Sequence, residues 1–595
     1  MKKYIRKGSV VILDFGGQYA HLIGRRVREC GAFSEILPPE TPAILLKGAA
    51  GIILSGGPQS VYDRGAPQGD RKIFELGIPV LGICYGLQWM AKILGGEVKA
   101  GKTKEYGRTQ IKNLECKMQN VPEEFTVWMS HGDEVVKVPE GFVQAATSDA
   151  CANAAIADEK RKFYGVQFHP EVTHTEYGTQ ILKNFVGLCD AAPWSVQSFH
   201  QEIREQVRKD AGTYNVFMLV SGGVDSTVAF ALLNEVLGQD HVQGLLIDIG
   251  LMRKGEIREV QDAFKKVGMT NLHVEDASDE FFSALKDIYD PEEKRKIIGK
   301  AFLNVQHRVC VKKLARKTKN WLLGQGTIYP DTIETGGTAH ADHIKTHHNR
   351  IPEIQSMIDR GEVIEPLKDL YKDEVRRLGE ELGLPHELVW RHPFPGPGLA
   401  VRILCVPEDS HVMVRKRGLG MTKHVILPIK SVGVQGDSRT YKHAIVLFSD
   451  SKLPAEEHWN LATEIPNKYP NINRVLFCLS HTEPLEFVLT PGYVTRERAD
   501  LLRTADNIID EEMRAADLYE KIWQFPVVLL PVGIKTGGES IVLRPVESTE
   551  AMTANAARLP EAMLHHIAEE LLALPGIDAV FYDLTSKPPA TIEWE

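Results

Sequence analysis

Val216-Phe-Met-Leu-Val220-Ser221-Gly222-Gly223-Val224-Asp225-Ser226 is a short apolar run that ends in a glycine turn. Such a run, bounded by turn residues, reads as a strand buried on both faces, and the turn as the step into a following helix. The pattern recurs downstream in Gly244-Leu-Leu-Ile-Asp248 and Asn271-Leu-His-Val274. It also governs the N-terminal part of the chain. There Val10-Val-Ile-Leu13 precedes a helical stretch from Gln18 to Glu29, and Gly51-Ile-Ile-Leu-Ser55 and Val80-Leu-Gly-Ile-Cys84 each close on small residues. Strands alternating with helices predict an α/β fold with two doubly wound parallel-sheet domains. Their ligands belong at the carboxyl ends of the strands.

The 595 residues allow roughly three to four domains. The first series is expected over 8–190, with Ala191-Ala-Pro193-Trp194 as a linker, and the second over 213–405. The second includes His392-Pro-Phe-Pro-Gly-Pro-Gly-Leu399, whose prolines and glycines forbid helix and strand alike and predict a rigid loop. The remainder contains a duplication. Val425-Ile-Leu-Pro-Ile429, strand Ala444–Phe448, a helix near 455–466 and Pro470-Asn-Ile-Asn-Arg-Val-Leu-Phe477 form one copy. Val528-Leu-Leu-Pro-Val532, strand Ser540–Leu543, a helix near 560–573 and Pro575-Gly-Ile-Asp-Ala-Val-Phe-Tyr582 form the other. Two small α+β units are therefore expected, over 406–483 and 484–595, with a charged helix from Thr495 to Tyr519 between the repeated motifs.

Hydrophobic residues make up 43% and charged residues 25% of the chain, an ordinary balance for globular protein. A net charge of -9 gives no overall attraction to nucleic acid or acidic membranes, so an anionic substrate needs a local basic site. Neither a signal-type apolar segment nor an 18-residue apolar run is present. The eight cysteines are scattered without a CxxC pair. That pattern predicts reduced thiols in a cytoplasmic setting rather than disulfides or zinc. His340, His343, His347 and His348 invite a zinc reading, but no cysteine or paired carboxylate completes a set, so no metal site is assigned.

Cys84, in Gly82-Ile-Cys84-Tyr-Gly86-Leu-Gln88, stands at a strand-to-helix turn flanked by glycines. Such a turn is a nucleophile elbow, where glycine tolerates strained backbone and the helix N-terminus favours thiolate. Hydrolysis of a carboxamide needs that thiolate, a histidine to shuttle its proton and a carboxylate to hold the imidazole. His169-Pro-Glu171 supplies both, expected on one face of a strand. The Tyr85 amide and those of Ser55-Gly56-Gly57-Pro58, Gly57 in particular, are the oxyanion donors. The alternative is a buried inert cysteine beside an ordinary loop histidine. The coincidence of three motifs weighs against it.

Ser221 to Ser226 lack the lysine of a Walker loop. Their glycines let backbone amides converge on phosphate oxygens at a helix N-terminus, which predicts a site for the pyrophosphate end of ATP. Ser221, Gly222, Gly223, Val224, Asp225 and Ser226 form the loop. Asp248 ends the next strand, either to meet the nucleoside or simply to close a turn. Lys345 is placed for a phosphate. A thiol that frees ammonia, joined to a site that activates an acceptor with ATP, reads as a glutamine-dependent amidating enzyme.

The first set of motifs resembles the class I glutamine amidotransferases, and SGGVDS resembles the PP-loop of the N-type ATP pyrophosphatases. From Ile12-Leu-Asp-Phe-Gly-Gly-Gln18 through Ile364-Glu-Pro-Leu, Lys372-Asp-Glu-Val-Arg376 and the HPFPGPGLA loop to Ser586-Lys-Pro-Pro-Ala-Thr-Ile-Glu-Trp-Glu595, the chain is similar to the glutamine-hydrolysing GMP synthase family. That resemblance implies a ligase that converts XMP, ATP and glutamine to GMP, AMP, pyrophosphate and glutamate. Mg²⁺ accompanies ATP, and no tightly bound organic cofactor is implied. It also implies that Arg295, Asp437, Gln524, Lys587 and Glu593 bind XMP and that Lys372 lies near the phosphates.

The chain departs from single-copy members, which carry Ser-Val-Gly-Val-x-Gly-Asp and Lys-Pro-Pro in one unit. Here Ser431-Val-Gly-Val-Gln-Gly-Asp437 lies in the first copy, while Lys587 lies in the second, where Gly533-Ile-Lys-Thr-Gly-Gly-Glu539 replaces the glycine motif. The copies are therefore expected to pair within one chain, giving a monomer or a weak substrate-dependent homodimer. Two rivals stand beside this reading. One is an NAD- or thiouridine-forming relative, opposed by the Lys-Pro-Pro tail. The other is a nucleotide-binding regulator with a dead amidotransferase domain, opposed by the intact Cys84, His169 and Glu171.

Overall fold

The structure, a computed structural model, describes all residues except 1–4, 18, 114–119, 315–319, 336–351, 409–412, 415–422, 436–437 and 549–553. It divides into two compact units. One contains Met1–Gln206, Thr327–Met357 and Leu367–Leu378; the other contains Val207–Gly326, Ile358–Pro366 and Gly379–Glu595.

The chain begins β1 (Val10–Leu13), α1 (Ala20–Glu29), β2 (Ser34–Leu37), β3 (Gly51–Leu54), β4 (Val80–Ile83), α2 (Tyr85–Ile93). It continues β5 (Glu97–Asn113), β6 (Glu124–Lys137), β7 (Val143–Thr147), β8 (Ala155–Asp158), β9 (Phe163–Val166), α3 (Gly178–Leu188) and α4 (Val196–Ala211). The nine strands form one sheet in the order β2-β1-β3-β4-β9-β8-β7-β5-β6. The β2-to-β9 half is parallel and the rest antiparallel. Apolar runs, rather than alternating patterns, were the signal for the parallel strands, and the reason is visible. Val10, Ile12, Ile53 and Leu81 pack on one face, while Val11, Leu13, Ile52 and Leu54 pack on the other. Each such buried side chain contributes about 1.5–3 kcal/mol. The stretch 191–194 is not a free linker. Ala192 donates its amide to Gly8, Pro193 bridges Ala32, and Trp194 is buried against Phe33 and Phe199. An apolar tryptophan has more to gain from burial than a linker has from freedom.

The second series runs β10 (Asn215–Leu219), α5 (Val224–Leu237), β11 (Val242–Asp248), α6 (Glu256–Lys266), β12 (Leu272–Asp276), α7 (Ser278–Ala284), α8 (Pro291–Leu314) and β13 (Trp321–Gly324). Then follow α9 (Tyr329–Thr335), α10 (Pro352–Asp359), β14 (Val363–Ile364), α11 (Lys372–Glu381) and α12 (His386–Val389). Five parallel strands are ordered β12-β11-β10-β13-β14, so the order reverses at β10. That reversal is the topological switch point, where ligands bind an open α/β sheet.

Beyond β15 (Met413–Val414) come β16 (His424–Gln435), β17 (Ser438–Leu447), α13 (Glu456–Lys468), β18 (Ile472–Cys478), β19 (Phe487–Leu489) and α14 (Arg496–Ala515). They are followed by β20 (Val527–Leu530), β21 (Val532–Gly533), β22 (Glu539–Leu543), β23 (Val546–Glu547), β24 (Asn555–Ala556), α15 (Glu561–Leu572) and β25 (Ile577–Asp583). The duplication is real to the residue. In the first copy Ile445 pairs Val475 and Leu447 pairs Phe477, with a register shift after His443. In the second, Ile541 pairs Val580 and Leu543 pairs Tyr582, with the same shift after Glu539. The copies join into one six-stranded sheet, β16-β17-β18-β25-β22-β20, through antiparallel β18 and β25. Leu476 faces Asp583 and Cys478 faces Phe581, so the equivalent residues Phe477 and Tyr582 mark the internal two-fold. A buried ion pair crosses it, from Arg474 to Asp583 at 2.7 Å.

Candidate active site

Cys84 caps α2 with φ 51° and ψ −107°, a left-handed backbone that a non-glycine residue adopts only under strain. The surrounding glycines make the turn possible. A Cβ on Gly86 would fall 2.2 Å from the Leu54 carbonyl, and one on Gly82 would fall 2.6 Å from the Leu87 amide. The thiol is buried and donates to the Ser130 carbonyl of β6 at 3.5 Å. Tyr85 opens α2, so its amide is one of the helix's first N–H groups and lacks an acceptor within the helix. Gly57 lies against the Tyr85 ring, where a Cβ would come within 3.2 Å.

Contrary to the expectation from the sequence, His169 and Glu171 do not lie on a strand. β9 stops at Val166, and Pro170, which has no backbone donor, lies in the turn that follows. The pair still meets: His169 Nδ1 and Glu171 Oε1 are 2.7 Å apart, both buried. The turn is held by His169 N to the Trp128 carbonyl at 3.0 Å and by Thr175 Oγ1 to the His169 carbonyl at 2.6 Å. Burial opposes charge on the imidazole, yet the Glu171 carboxylate and the hydrogen bond to Cys84 outweigh it and push His169 up to about 10. The Cys84 thiol and the Glu171 carboxylate thus both act on one imidazole.

Sequence reasoning missed the residues around the thiol. Gln167 Nε2 points at Cys84 Sγ from 3.7 Å, and Gln88 Nε2 binds Gln167 Oε1 at 3.3 Å and the Asp133 carbonyl at 2.7 Å. The Asp133 Oδ2 atom is buried without a hydrogen-bond partner. Gln88 follows Cys84 by one helical turn, so periodicity could have found it. Asp133 comes from β6 and had no local signal.

The glycine loop leaves β10 at the switch point. Ser226 Oγ accepts the Ser221 amide at 3.1 Å and lies 2.9 Å from Ser221 Oγ. The Gly223 amide reaches Ser221 Oγ at 3.2 Å. Gly222 takes φ +78°. Asp225 falls in the first turn of α5, whose N-terminus opens on the loop. Below Gly222 lies a buried pair, Arg391 Nη1 to Glu256 Oε1 at 3.1 Å. Asp248 Oδ1 accepts the Gly250 amide at 2.8 Å and so closes its own turn. Lys372 is the first residue of α11. Lys345, Asp437 and the histidines at 340–348 lie outside the described residues.

The C-terminal tail crosses the first copy's hairpin. The Val432 amide donates to Trp594 at 2.9 Å, the Val434 amide donates to Pro589 at 2.8 Å, and Gly433 bridges Ala590. A Cβ on Gly433 would fall 2.7 Å from the Pro589 carbonyl, so the motif glycine permits the tail's approach. Gln524 Nε2 and Glu593 Oε1 are 3.0 Å apart. Arg295 Nη1 holds Glu292 at 3.0 Å and its Nη2 donates to the Glu595 carbonyl. The Lys587 amide donates to the Ala554 carbonyl at 2.7 Å. In the second copy the loop that replaces the glycine motif is closed from within, since Asp578 Oδ2 accepts the Ile534 and Lys535 amides at 2.8 and 2.9 Å.

Fold and thiol relay together define a class I glutamine amidotransferase fused to an ATP-pyrophosphatase-type sheet. Residues 11–188 match the class-I glutamine amidotransferase family, 195–328 the NAD synthase family, and 511–594 the GMP synthase C-terminal domain. A probable glutamine-hydrolysing GMP synthase of Leptospira interrogans (serogroup Icterohaemorrhagiae) is 48% identical over 99% of both chains. Glutamine-hydrolysing GMP synthases of Aquifex aeolicus and Bifidobacterium longum are 38% and 40% identical, covering 99% of this chain and 100% and 97% of theirs. The chain belongs to the glutamine-hydrolysing GMP synthase family.

Proposed function

We infer that the chain makes GMP from XMP, ATP, glutamine and water, releasing AMP, pyrophosphate and glutamate. Similarity to GMP synthases along the whole chain, together with the Cys84–His169–Glu171 relay, carries this reading. The domain division that serves it is a glutaminase over 8–190, an ATP pyrophosphatase over 213–405, and two α+β units over 406–483 and 484–595.

Cys84 Sγ attacks the glutamine carboxamide, and the oxyanion is met by the Gly57 and Tyr85 amides. His169 carries the thiol proton to the departing ammonia, water then hydrolyses the thioester to release glutamate, and Glu171 keeps the imidazole in place. The unpartnered Asp133 oxygen is the acceptor for the α-ammonium group of glutamine. In the second half the C2 oxygen of XMP attacks the α-phosphorus of ATP and pyrophosphate leaves. Ammonia then adds at C2 and AMP departs. Ser221 to Ser226 cradle the leaving pyrophosphate, with Lys372 and Lys345 as its cations and Asp248 at the nucleoside. ATP enters with Mg²⁺ as part of the substrate. Arg295, Asp437, Gln524, Lys587 and Glu593 hold XMP.

The first copy contributes Asp437 and the second Lys587 and Glu593, so one chain assembles one XMP site and works as a monomer, in the cytosol. The internal two-fold at Phe477 and Tyr582 supports this, since the pairing that two subunits would make is already made. AMP and GMP formation from XMP, assayed with glutamine and separately with ammonium, tests the function. Absence of both products with either nitrogen source would refute it.

A further inference from the structure

Arg402 is almost wholly buried, yet no motif pointed to it. Its guanidinium grips Glu593 as a fork, Nε to Oε2 at 3.1 Å and Nη2 to Oε1 at 2.8 Å. Gln524 adds a third donor to the same carboxylate at 3.0 Å and ties it to the Pro393 carbonyl at 3.2 Å. The arginine itself cannot drift. Its amide donates to Leu399 at 2.9 Å, and its carbonyl accepts from Leu529 of β20 at 2.8 Å. Phe394 is clamped between Arg402 and Arg253, at 4.9 and 4.6 Å from ring centroid to guanidinium. Asp506 lies 3.6 Å from Arg402 and 3.7 Å from Arg253. The Glu593 side chain keeps 22% of its surface open, whereas that of Arg402 keeps 1%. Both carboxylate oxygens are therefore fixed by protein donors, while part of the Glu593 side chain stays open.

We propose that Arg402 is a positioning residue for the purine, acting through Glu593 to hold its carboxylate in one plane. This rests on the reading of Glu593 as an XMP ligand. A planar fork sets the carboxylate plane, which a point charge does not. A 2,6-dioxopurine carries a ring N–H between two oxygens, and the fixed carboxylate accepts from such an N–H. The base cannot then rotate in its own plane, and the C2 oxygen stays aimed at the α-phosphate. A misdirected base costs the reaction far more than a weakened one.

The test uses the full chain with ammonium as nitrogen source, comparing Arg402→Met, Arg402→Lys, Glu593→Gln and the double variant Arg402→Met/Glu593→Gln. Arg402→Met is expected to raise KM for XMP about 10- to 100-fold, a loss typical of one buried charge-assisted contact, with KM for ATP and basal glutaminase unchanged. Arg402→Lys, which keeps the charge without the fork, falls between. The double variant is expected to be no worse than Glu593→Gln, because Arg402 acts only through that carboxylate. Thermal melts show which variants fold, and if Arg402→Met does not, Arg402→Lys decides on the same KM split. Multiplying effects in the double variant, or equal rises in both KM values, overturn the proposal. So does an unchanged XMP KM in Arg402→Met beside a raised one in Glu593→Gln. If Glu593→Gln itself leaves XMP KM unchanged, the XMP reading of Glu593 falls and takes this inference with it.

Discussion

Arg28 Nη1 of α1 lies 2.8 Å from Glu374 Oε2 of α11, and both side chains are buried. The guanidinium also sits over the rings of Phe33, Tyr329 and Tyr371, at 4.4, 4.9 and 4.7 Å from their centroids. Glu374 Oε2 accepts the Tyr371 amide at 2.8 Å as well. This pair ties the first helix of the chain to the helix that begins with Lys372.

Removing one partner strands the other. Arg28→Met is expected to cost about 3–5 kcal/mol in chemical denaturation, because an uncompensated carboxylate remains buried. Burial pushes Glu374 up to about 7, with Arg28 and the Tyr371 amide opposing. A raised carboxyl stabilises the fold below its unfolded value, and the contribution is lost as pH rises through about 7. Stability measured between pH 5 and pH 7.5 should therefore fall less steeply in Glu374→Gln than in the wild type. Identical slopes would remove Glu374 as the source.

Cys84→Ala should abolish glutamine-dependent synthesis and spare synthesis from ammonium, whereas Asp225→Ala should remove both. Glu171→Ala should be milder than Cys84→Ala, since an orienting acid contributes less than the nucleophile. Parallel loss of both activities in Cys84→Ala would contradict the division of labour.

The Glu171 charge is the leading influence raising His169 to about 10. The stabilisation from that pair is complete below about pH 6.5 and declines as pH rises toward 10. Glu171→Gln should therefore bring the alkaline limb of the glutaminase profile down toward neutral pH. A profile that keeps its wild-type limb would show that another group sets it.

His392 stacks on Tyr519 at 4.1 Å between ring centroids, with Nε2 2.6 Å from the Tyr519 carbonyl. Burial drives it down to about 4. A depressed histidine favours the folded state above its unfolded value, so its contribution is lost as pH falls from about 6.5 to 4. By linkage the loss is about 3 kcal/mol. Urea midpoints at pH 7 and pH 5 should converge in His392→Gln compared with the wild type.

Gly86→Ala should destroy glutaminase activity and destabilise the fold by about 1–3 kcal/mol or more, since its Cβ would meet the Leu54 carbonyl at 2.2 Å. Gly187→Ala, with nothing within 4 Å, is the matched control and should be silent in both assays.

The sequence by itself determined everything whose cause is local. Cys84 and its glycines, SGGVDS after Val216–Val220, and the parallel strands all follow from patterns a few residues long. Turn sterics and two-faced burial are written in neighbouring positions. The duplication was readable for the same reason, as one pattern written twice. Tertiary structure decided what depends on distant partners. The expected strand ends at Val166, short of His169 and Glu171, yet Trp128 of β6 holds the His169 amide from far along the chain. Trp194 left its expected linker because Phe33 and Phe199 offered it a core. Arg402 is set apart only by Glu593, 191 positions away, in its fork. Buried charges are placed by partners far along the chain, and no local spacing carries that information.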